Sequence, residues 1–554
     1  MNSWTPKSVL ALRAYSAEQL RHDLIAGVTV GLVALPLAMA FAISSGVSPQ
    51  AGIYCAIVTG FLISALGGSN FQIGGPTGAF VVVVAGIIAR YGIDGLFMST
   101  MMAGVILVVL GATGLGTAVK FIPQPVVVGF TNGIAVVIAS TQIRDLFGLR
   151  MASVPSEFLP KMRALAAAAP TWSPLASALG LGAIAFLLIW RRMGSRLPGY
   201  IVVLVGATAA TALAGLDVET IGSRFGGIAG TLPTLVLPKL RPDLVFTLLS
   251  PALTIAMLGA VESLMSAVVA DRMGGDRHNP NVELIAQGIA NIASPLVGGL
   301  PATGALARTA TNIRSGARTP VAGMVHALTL LTVLLVAAPL ARYVPLSALA
   351  GILVIVAYQM GEWAEIPQLL KLSKADVAVW LVTFALTVMA DLTVAVETGM
   401  ILAMLMFIRK VSRTTSVSAA SEDDAEEGRL HVLHDKHVPE YATVFRVYGP
   451  LLFGATDSLF RVTEQVHALP PIVILKLRHV TAIDATGLRA LEDLADRLHK
   501  SGRELIVCGA QAQPSALLAS ADFHQHVGSA NICPNTAAAL VRATELHRTQ
   551  RSVA

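Results

Sequence analysis

From Leu24 to Ile408 the chain is a succession of apolar runs of roughly 17–25 residues, each long enough to cross the hydrocarbon core of a bilayer as a helix. With 54% of its 554 residues hydrophobic and 13% charged, it lies outside the composition of an ordinary soluble domain. After Arg409 the character turns polar and mixed, so a large membrane part is expected to precede a smaller soluble one. Met1 to His22 is polar and basic and the first apolar run is span-length, so no cleavable signal peptide is expected.

About fourteen membrane segments are expected. Seven fall near 24–45, 50–67, 76–90, 96–118, 124–146, 174–190 and 197–214, and seven near 250–270, 282–298, 302–314, 319–338, 343–360, 376–390 and 392–408. Lys120, Arg191, Arg192, Arg196, Arg272, Arg277, Arg314, Arg318, Lys371 and Lys374 fall on one predicted side. The positive-inside rule makes that side cytoplasmic, together with both termini. The opposite loops carry Arg150, Lys161, Arg163, Lys239 and Arg241, but two of these loops are long and weigh little in that rule. The net charge of +6 therefore speaks for membrane orientation, not nucleic-acid binding. Cys55, Cys508 and Cys533 have no paired spacing and give no disulfide or metal framework.

Within this apolar sequence the same patch occurs twice, 226 residues apart: Gly74-Gly75-Pro76-Thr77-Gly78-Ala79 and Gly298-Gly299-Leu300-Pro301-Ala302-Thr303-Gly304-Ala305. Each places a helix breaker at membrane depth and follows it with a short helical run. Taken alone, each patch reads either as a Gly/Pro kink in a buried helix or as the start of a half-helix. The shift that superposes the patches also carries Leu24, where the first span starts, onto Ser250, where the eighth starts. Two repeats of seven spans are then inverted, because an odd number of crossings reverses direction. Inverted half-helices enter from opposite sides with their N-termini meeting near the midplane. Each end presents free N–H groups and roughly half a positive charge, and two such ends facing one cavity make an anion site. Thr77 and Thr303 also suit helix caps.

Two intramembrane charges sharpen this reading. Arg308 lies just inside the second half-helix, where a buried arginine marks an ion or substrate pathway unless it snorkels or pairs structurally. Arg314 and Arg318, stepping toward the cytoplasmic side, read as topology determinants. Glu262 sits in the middle of the eighth span, a position that suits a proton carrier, and Ser266 is one helical turn further on. A static Glu262–Arg308 salt bridge is the structural alternative. Asp391 reads as a turn residue between two apolar runs.

The run from Asp23 to Pro36, Asp-Leu-Ile-Ala-Gly-Val-Thr-Val-Gly-Leu-Val-Ala-Leu-Pro, resembles the first-span signature of the SulP (sulfate permease) family of anion transporters. The run from Gly299 to Asn312, followed by Ser315-Gly316-Ala317-Arg318-Thr319, is similar to that family's tenth span, and the resemblance extends over essentially the whole chain. It implies fourteen spans in two inverted repeats, divided into a moving core and a gate domain. It places an anion between spans three and ten, flanked by spans one and eight. The substrate-site residues it implies are Phe41, Thr77, Gly78, Ala79, Thr303, Gly304, Ala305, Leu306 and Arg308, with Glu262 and Ser266 in ion coupling. Members are homodimers that carry sulfate, bicarbonate, chloride or dicarboxylates. Sulfate-transporting relatives often have Pro-Gln and then Tyr-Ala in the first span, where this chain has Pro36-Leu37 and Phe41-Ala42. The bicarbonate branch resembles this span better but uses aspartate, in a sodium site, where this chain has Glu262; a glutamate there leans toward a coupling proton.

The tail reads as a small α/β domain, with strand-like Ala442–Val447, Ile472–Leu477 and Glu504–Cys508 and helix-like Ala455–His467. Ser421–Gly428 is an acidic linker. Ala482-Ile483-Asp484-Ala485-Thr486-Gly487 resembles the signature turn of STAS domains, in which the hydroxyl residue matching Thr486 is phosphorylated in some relatives. The structural alternative is that Asp484 and Thr486 cap the next helix. The expected organisation is a cytoplasmic segment 1–23, a transport domain 24–410 with repeats near 24–214 and 250–408, a linker 411–440 and a STAS domain 441–554.

No Gly-Lys-Ser phosphate loop, metal cluster or nucleophile elbow is present, so an enzyme, a primary pump and any cofactor are not expected. The expectation is a bacterial inner-membrane secondary transporter for a small anion such as sulfate or bicarbonate, working by alternating access with a coupling proton. Sodium-coupled bicarbonate transport, C4-dicarboxylate symport, a passive anion channel and a nucleobase permease of the same fold remain as alternatives. A homodimer and a cytosolic partner for the STAS domain complete the expected contacts.

Overall fold

The first membrane helix, α1 (Ala17–Ser44), starts seven residues before the apolar run because Ser16 and Gln19 form a capping box, each side chain bonding the other's backbone N–H. In the computed structural model all residues are described except 1–3, 117–122, 152–153, 156, 194–197, 240, 391, 420–437, 453–458, 460–467 and 554. The acidic linker Ser421–Gly428, the helix-like stretch Ala455–His467 apart from Leu459, and Lys120, Arg196 and Asp391 lie outside the described residues.

Two compact units divide the chain, Met1–Ile401 and Leu402–Ala554. In the first, α1 is followed by α2 (Pro49–Leu66), a two-residue strand β1 (Gly74–Gly75) and α3 (Ala79–Ala112), the last broken at Gly92, whose φ of 71° no helix accommodates. Next come α4 (Gln124–Phe147), α5 (Pro174–Arg192) and α6 (Gly199–Ala214). The second half repeats this order with α7 (Val245–Gly274), α8 (Pro280–Ala293), β2 (Thr303–Gly304), α9 (Leu306–Arg314), α10 (Val321–Ala341), α11 (Leu346–Met360), α12 (Lys374–Met389) and α13 (Leu392–Thr414). Eight of the described helices are long and apolar enough to cross a membrane.

The packing sorts the helices into two groups. α1 packs on α2 and α10, α3 on α7 and α8, and α9 on α7 and α1. Separately, α4 packs on α11 and α12, and α5 on α11 and α6. Small residues let backbones touch within the first group. A Cβ on Gly104 of α3 would meet the Gly288 carbonyl of α8 at 2.6 Å, and a Cβ on Gly288 would meet the Gly104 carbonyl at the same distance.

The half-helices begin later than their breakers suggest, at Ala79 and Leu306. The residues before them are spent on each other: β1 and β2 pair antiparallel, Gly74 opposite Gly304 and Gly75 opposite Thr303. This ribbon satisfies backbone groups that lipid would leave unpaired.

The second unit holds a five-stranded sheet ordered β3 (Ser416–Ala419), β4 (Ala442–Tyr448), β5 (Ile472–His479), β6 (Glu504–Cys508) and β7 (Ile532–Cys533). The β3–β4 pair is antiparallel and the rest are parallel. Between β5 and β6 runs α14 (Ala485–Lys500), whose Leu491, Leu494 and Leu498 are buried with Val473 and Leu475 of β5. Asp484 caps this helix, its Oδ1 accepting the Gly487 N–H at 2.8 Å. Thr486 lies in the first turn of α14 and is not its cap, a correction to the paired capping expected for Asp484 and Thr486.

Candidate functional site

The short helix α9 is knitted to the chain around β1 by a polar stripe on one face. Asn312 Nδ2 donates to the Phe71 carbonyl at 3.0 Å, the Ile73 N–H donates to Thr309 Oγ1 at 3.0 Å, and the Ala305 N–H donates to the Ile73 carbonyl at 2.8 Å. Arg308 Nη2 donates to the Pro76 carbonyl. On the other side Asn291 grips the backbone before β2, donating to the Ala302 carbonyl at 2.8 Å and accepting its N–H at 2.9 Å. These bonds fix both half-helix starts relative to each other.

Neither start is capped by a side chain. The N-cap positions are Gly78 for α3 and Ala305 for α9. Thr77 and Thr303 do not cap, which corrects the expectation for both. Thr77 Oγ1 reaches instead to Glu262 Oε2 at 3.0 Å, and Thr303 Oγ1 to the Gly259 carbonyl at 2.9 Å. Both acceptors belong to α7, so each threonine ties the ribbon to that helix.

The uncapped ends open on a cavity of about 500 Å³. One wall comes from Leu37 and Phe41 of α1, Thr77 and Gly78, Met257, Val261 and Glu262 of α7, and Gly304, Ala305, Leu306, Ala307 and Arg308. The facing wall comes from the other helix group: Val126, Phe130 and Thr131 of α4, Tyr200 of α6, and Val356, Gln359 and Met360 of α11. Ala79, Thr303 and Ser266 are buried one layer behind this lining, and Ser266 Oγ donates to Thr309 Oγ1 at 3.3 Å.

Arg308 is 2% exposed, and its Nη1 has no hydrogen-bond partner among the described residues. No ion pair joins it to Glu262, so the static salt bridge is not formed. The guanidinium lies against the backbone of Gly75, where a Cβ would stand 2.4 Å from Nη1. The cavity is lined by two helix N-termini and the guanidinium groups of Arg308 and Arg314, against the carboxyls of Glu262 and Glu362. With Glu262 protonated the balance is positive, the sign an anion needs.

Residues missed from sequence are those that hold the ribbon: Gln72, whose Nε2 donates to the Ser263 carbonyl at 3.0 Å, with Asn291, Thr309 and Asn312. The spacing of Arg308, Thr309 and Asn312 on one helix face was a usable signal; the partners of that face were not. Asp484 and Thr486 lie in the second unit.

Residues 20–383 match the model of the sulfate permease family, and residues 434–539 match the STAS domain. The chain belongs to the sulfate permease family. It is 41% identical over 518 residues to the putative sulfate transporter YvdB of Bacillus subtilis, covering 93% of this chain and 96% of that protein. It is 30% identical over 511 residues to the bicarbonate transporter BicA of Picosynechococcus, covering 89% of each. The structure of SLC26A9 superposes with a TM-score of 0.86 over 98% of this chain and 93% of that one, and at 18% identity this likeness shows the fold alone. This sulfate permease family member is thus a multi-pass membrane protein with a STAS domain, and its relatives are transporters, not enzymes.

Proposed function

We propose that the protein is a secondary active transporter of a small inorganic anion, sulfate or bicarbonate, coupled to a proton. The observation that carries this reading is the pair of uncapped helix N-termini, joined by the ribbon and facing one cavity beside the unpartnered Nη1 of Arg308. The anion sits at Thr77, Gly78 and Gly304 to Leu306, under Phe41, with Arg308 supplying charge; Ala79, Thr303 and Ser266 support this wall from behind. Proton binding at Glu262 removes the one carboxyl that Thr77 holds at this wall, so anion and proton favour each other's binding.

Alternating access follows from the two helix groups. The site belongs to the group containing α1, α3, α7 and α9, and the opposite wall belongs to α4, α6 and α11. Sliding one against the other exposes the cavity to either side without dismantling the ribbon. We place fourteen crossings in two inverted repeats within 24–410, a linker at 411–440 and the STAS domain at 441–554. Both termini are cytoplasmic, the membrane is the bacterial inner membrane, and the working form is a homodimer. The relatives' names offer sulfate and bicarbonate as substrates.

The test is uptake of radiolabelled sulfate, bicarbonate and fumarate into proteoliposomes, under a pH gradient, a sodium gradient or neither. A pH-driven accumulation of sulfate or bicarbonate is expected, and Arg308→Ala should abolish it or raise half-saturation at least tenfold, the loss of about 1.4 kcal/mol or more. Sodium-driven uptake indifferent to pH would replace the proton, and an Arg308→Ala variant with wild-type kinetics would remove Arg308 from the site.

A further inference from the structure

The central cavity does not stop at Arg308. Ala307, Ala310, Thr311 and Arg314 line it at the spacing of one helix face, so Arg314 stands ~10 Å along α9 from Ala307. Arg314 and Thr311, with Val33, Tyr200 and Gln359, also line a second cavity of about 670 Å³. The two spaces therefore share a wall. Within it the Tyr200 hydroxyl donates to Gln359 Oε1 at 3.0 Å, and Arg191, at the end of α5, lines the second cavity as well.

The charge of this second cavity is one-sided. Among the described residues its charged lining is Arg191 and Arg314, with no carboxyl. Neither side chain has an ion-pair or hydrogen-bond partner among the described residues. Arg224, by contrast, is bound by Asp145 and Glu219, and Arg241 by Asp243. A chamber with apolar walls and charge of one sign focuses its field into the enclosed water.

We propose that this cavity is a cytoplasmic-side anion station, where Arg314 and Arg191 hold a small oxyanion between Arg308 and the cytoplasm. The proposal rests on reading the central cavity as an anion site. Two guanidinium groups suit an oxyanion better than ammonium groups because each presents a planar pair of donors. Being exposed, both act on capture and leave the translocation step alone. Arg314 thereby has work beyond setting orientation, whereas exposed Arg318, four residues on, lines neither cavity.

The experiment measures initial entry of radiolabelled sulfate and bicarbonate into proteoliposomes with the cytoplasmic face of the protein outward, holding wild type, R191Q, R314Q, the double variant, R314K or R318Q, at low and high external concentrations of an impermeant salt. R191Q and R314Q should each raise half-saturation by ~3–10-fold at low salt with the maximal rate kept, and high salt should shrink the difference. R314K should recover part of the loss and R318Q should behave as wild type. A double variant with wild-type half-saturation at low salt overturns the proposal. So does an R318Q shift as large as that of R314Q, which would mean a diffuse surface charge. If R308A abolishes uptake while the double variant is silent, only the cytoplasmic-side station falls; if R308A is silent, the central reading falls with it.

Discussion

Gly75→Ala tests whether the ribbon sets the position of Arg308. Gly75 has φ 151°, and an alanine methyl there would lie 2.4 Å from Arg308 Nη1 and 3.3 Å from its Cζ. Ordinary contact needs about 3.5 Å, so the guanidinium must retreat by roughly 1 Å. Retreat breaks the charge-assisted bond to the Pro76 carbonyl, worth about 1.5–3 kcal/mol, and the backbone conformation costs a non-glycine residue a further 1–3 kcal/mol or so. The sum is about 2.5–6 kcal/mol of the ribbon's stability. A displacement near 1 Å in a preorganised site costs on the order of 100-fold in function. The assay pairs thermal unfolding in detergent with initial-rate anion uptake. Gly74→Ala is the control, because its methyl meets Ile63 Cδ1 at 2.2 Å and not Arg308. It should lose stability yet keep its half-saturation concentration. Wild-type melting and uptake in Gly75→Ala, or an equal half-saturation shift in both variants, would refute the argument.

Glu262→Gln keeps an acceptor for the Thr77 hydroxyl but cannot exchange a proton, so uptake should lose its pH dependence; unchanged pH-driven accumulation places coupling elsewhere. Before α1, burial and the neighbouring Asp23 carboxylate push the Tyr15 hydroxyl up to about 12, and it donates to Asp23 Oδ2 at 3.0 Å. Because this value is raised, its stabilisation is full below about pH 10 and is lost as pH rises toward 12. Ultraviolet titration should find Tyr15 among the late-titrating tyrosines, and Asp23→Asn should bring it earlier. Asp484→Ala removes the cap of α14 and should cost about 0.5–2 kcal/mol, read as faster amide exchange at Gly487 in the full-length protein. Lys161, buried in the helix Phe158–Ala168, is pushed down to about 8 by that burial. Lys161→Met should therefore raise the melting temperature at pH 7, with a gain that fades as pH climbs above 8 and the wild-type amine loses its charge.

The duplicated patch was legible because glycine and proline are conspicuous in apolar sequence and because one offset aligned both the patches and the first spans. What the patches do locally was not. A two-residue strand has no periodicity, so the pairing of Gly74 with Gly304 leaves no trace in either segment. Thr77 and Thr303 carry the chemistry of caps, yet their hydroxyls turn to α7, a choice settled by groups far away in sequence. Arg308 was found because charge at membrane depth is rare. Its partner, a proline carbonyl, has no signature at all. The strands of the soluble unit were readable from their β-branched runs: Glu504–Cys508 forms as expected, and Ile472–His479 runs two residues past its expected end.

The ribbon also imposes an order on biosynthesis. As the chain leaves the ribosome, Gly74 and Gly75 enter the membrane long before Thr303 and Gly304 have been made. Until then their backbone groups have no native partner in a solvent that offers none. The first half must wait in the translocon, or against its lipid-shielded neighbours, with its site unformed. The site closes only with the arrival of β2 and the docking of Arg308 on Pro76. Nascent chains stopped before Thr303 should stay protease-sensitive at the first patch, and those extended past Asn312 should close it.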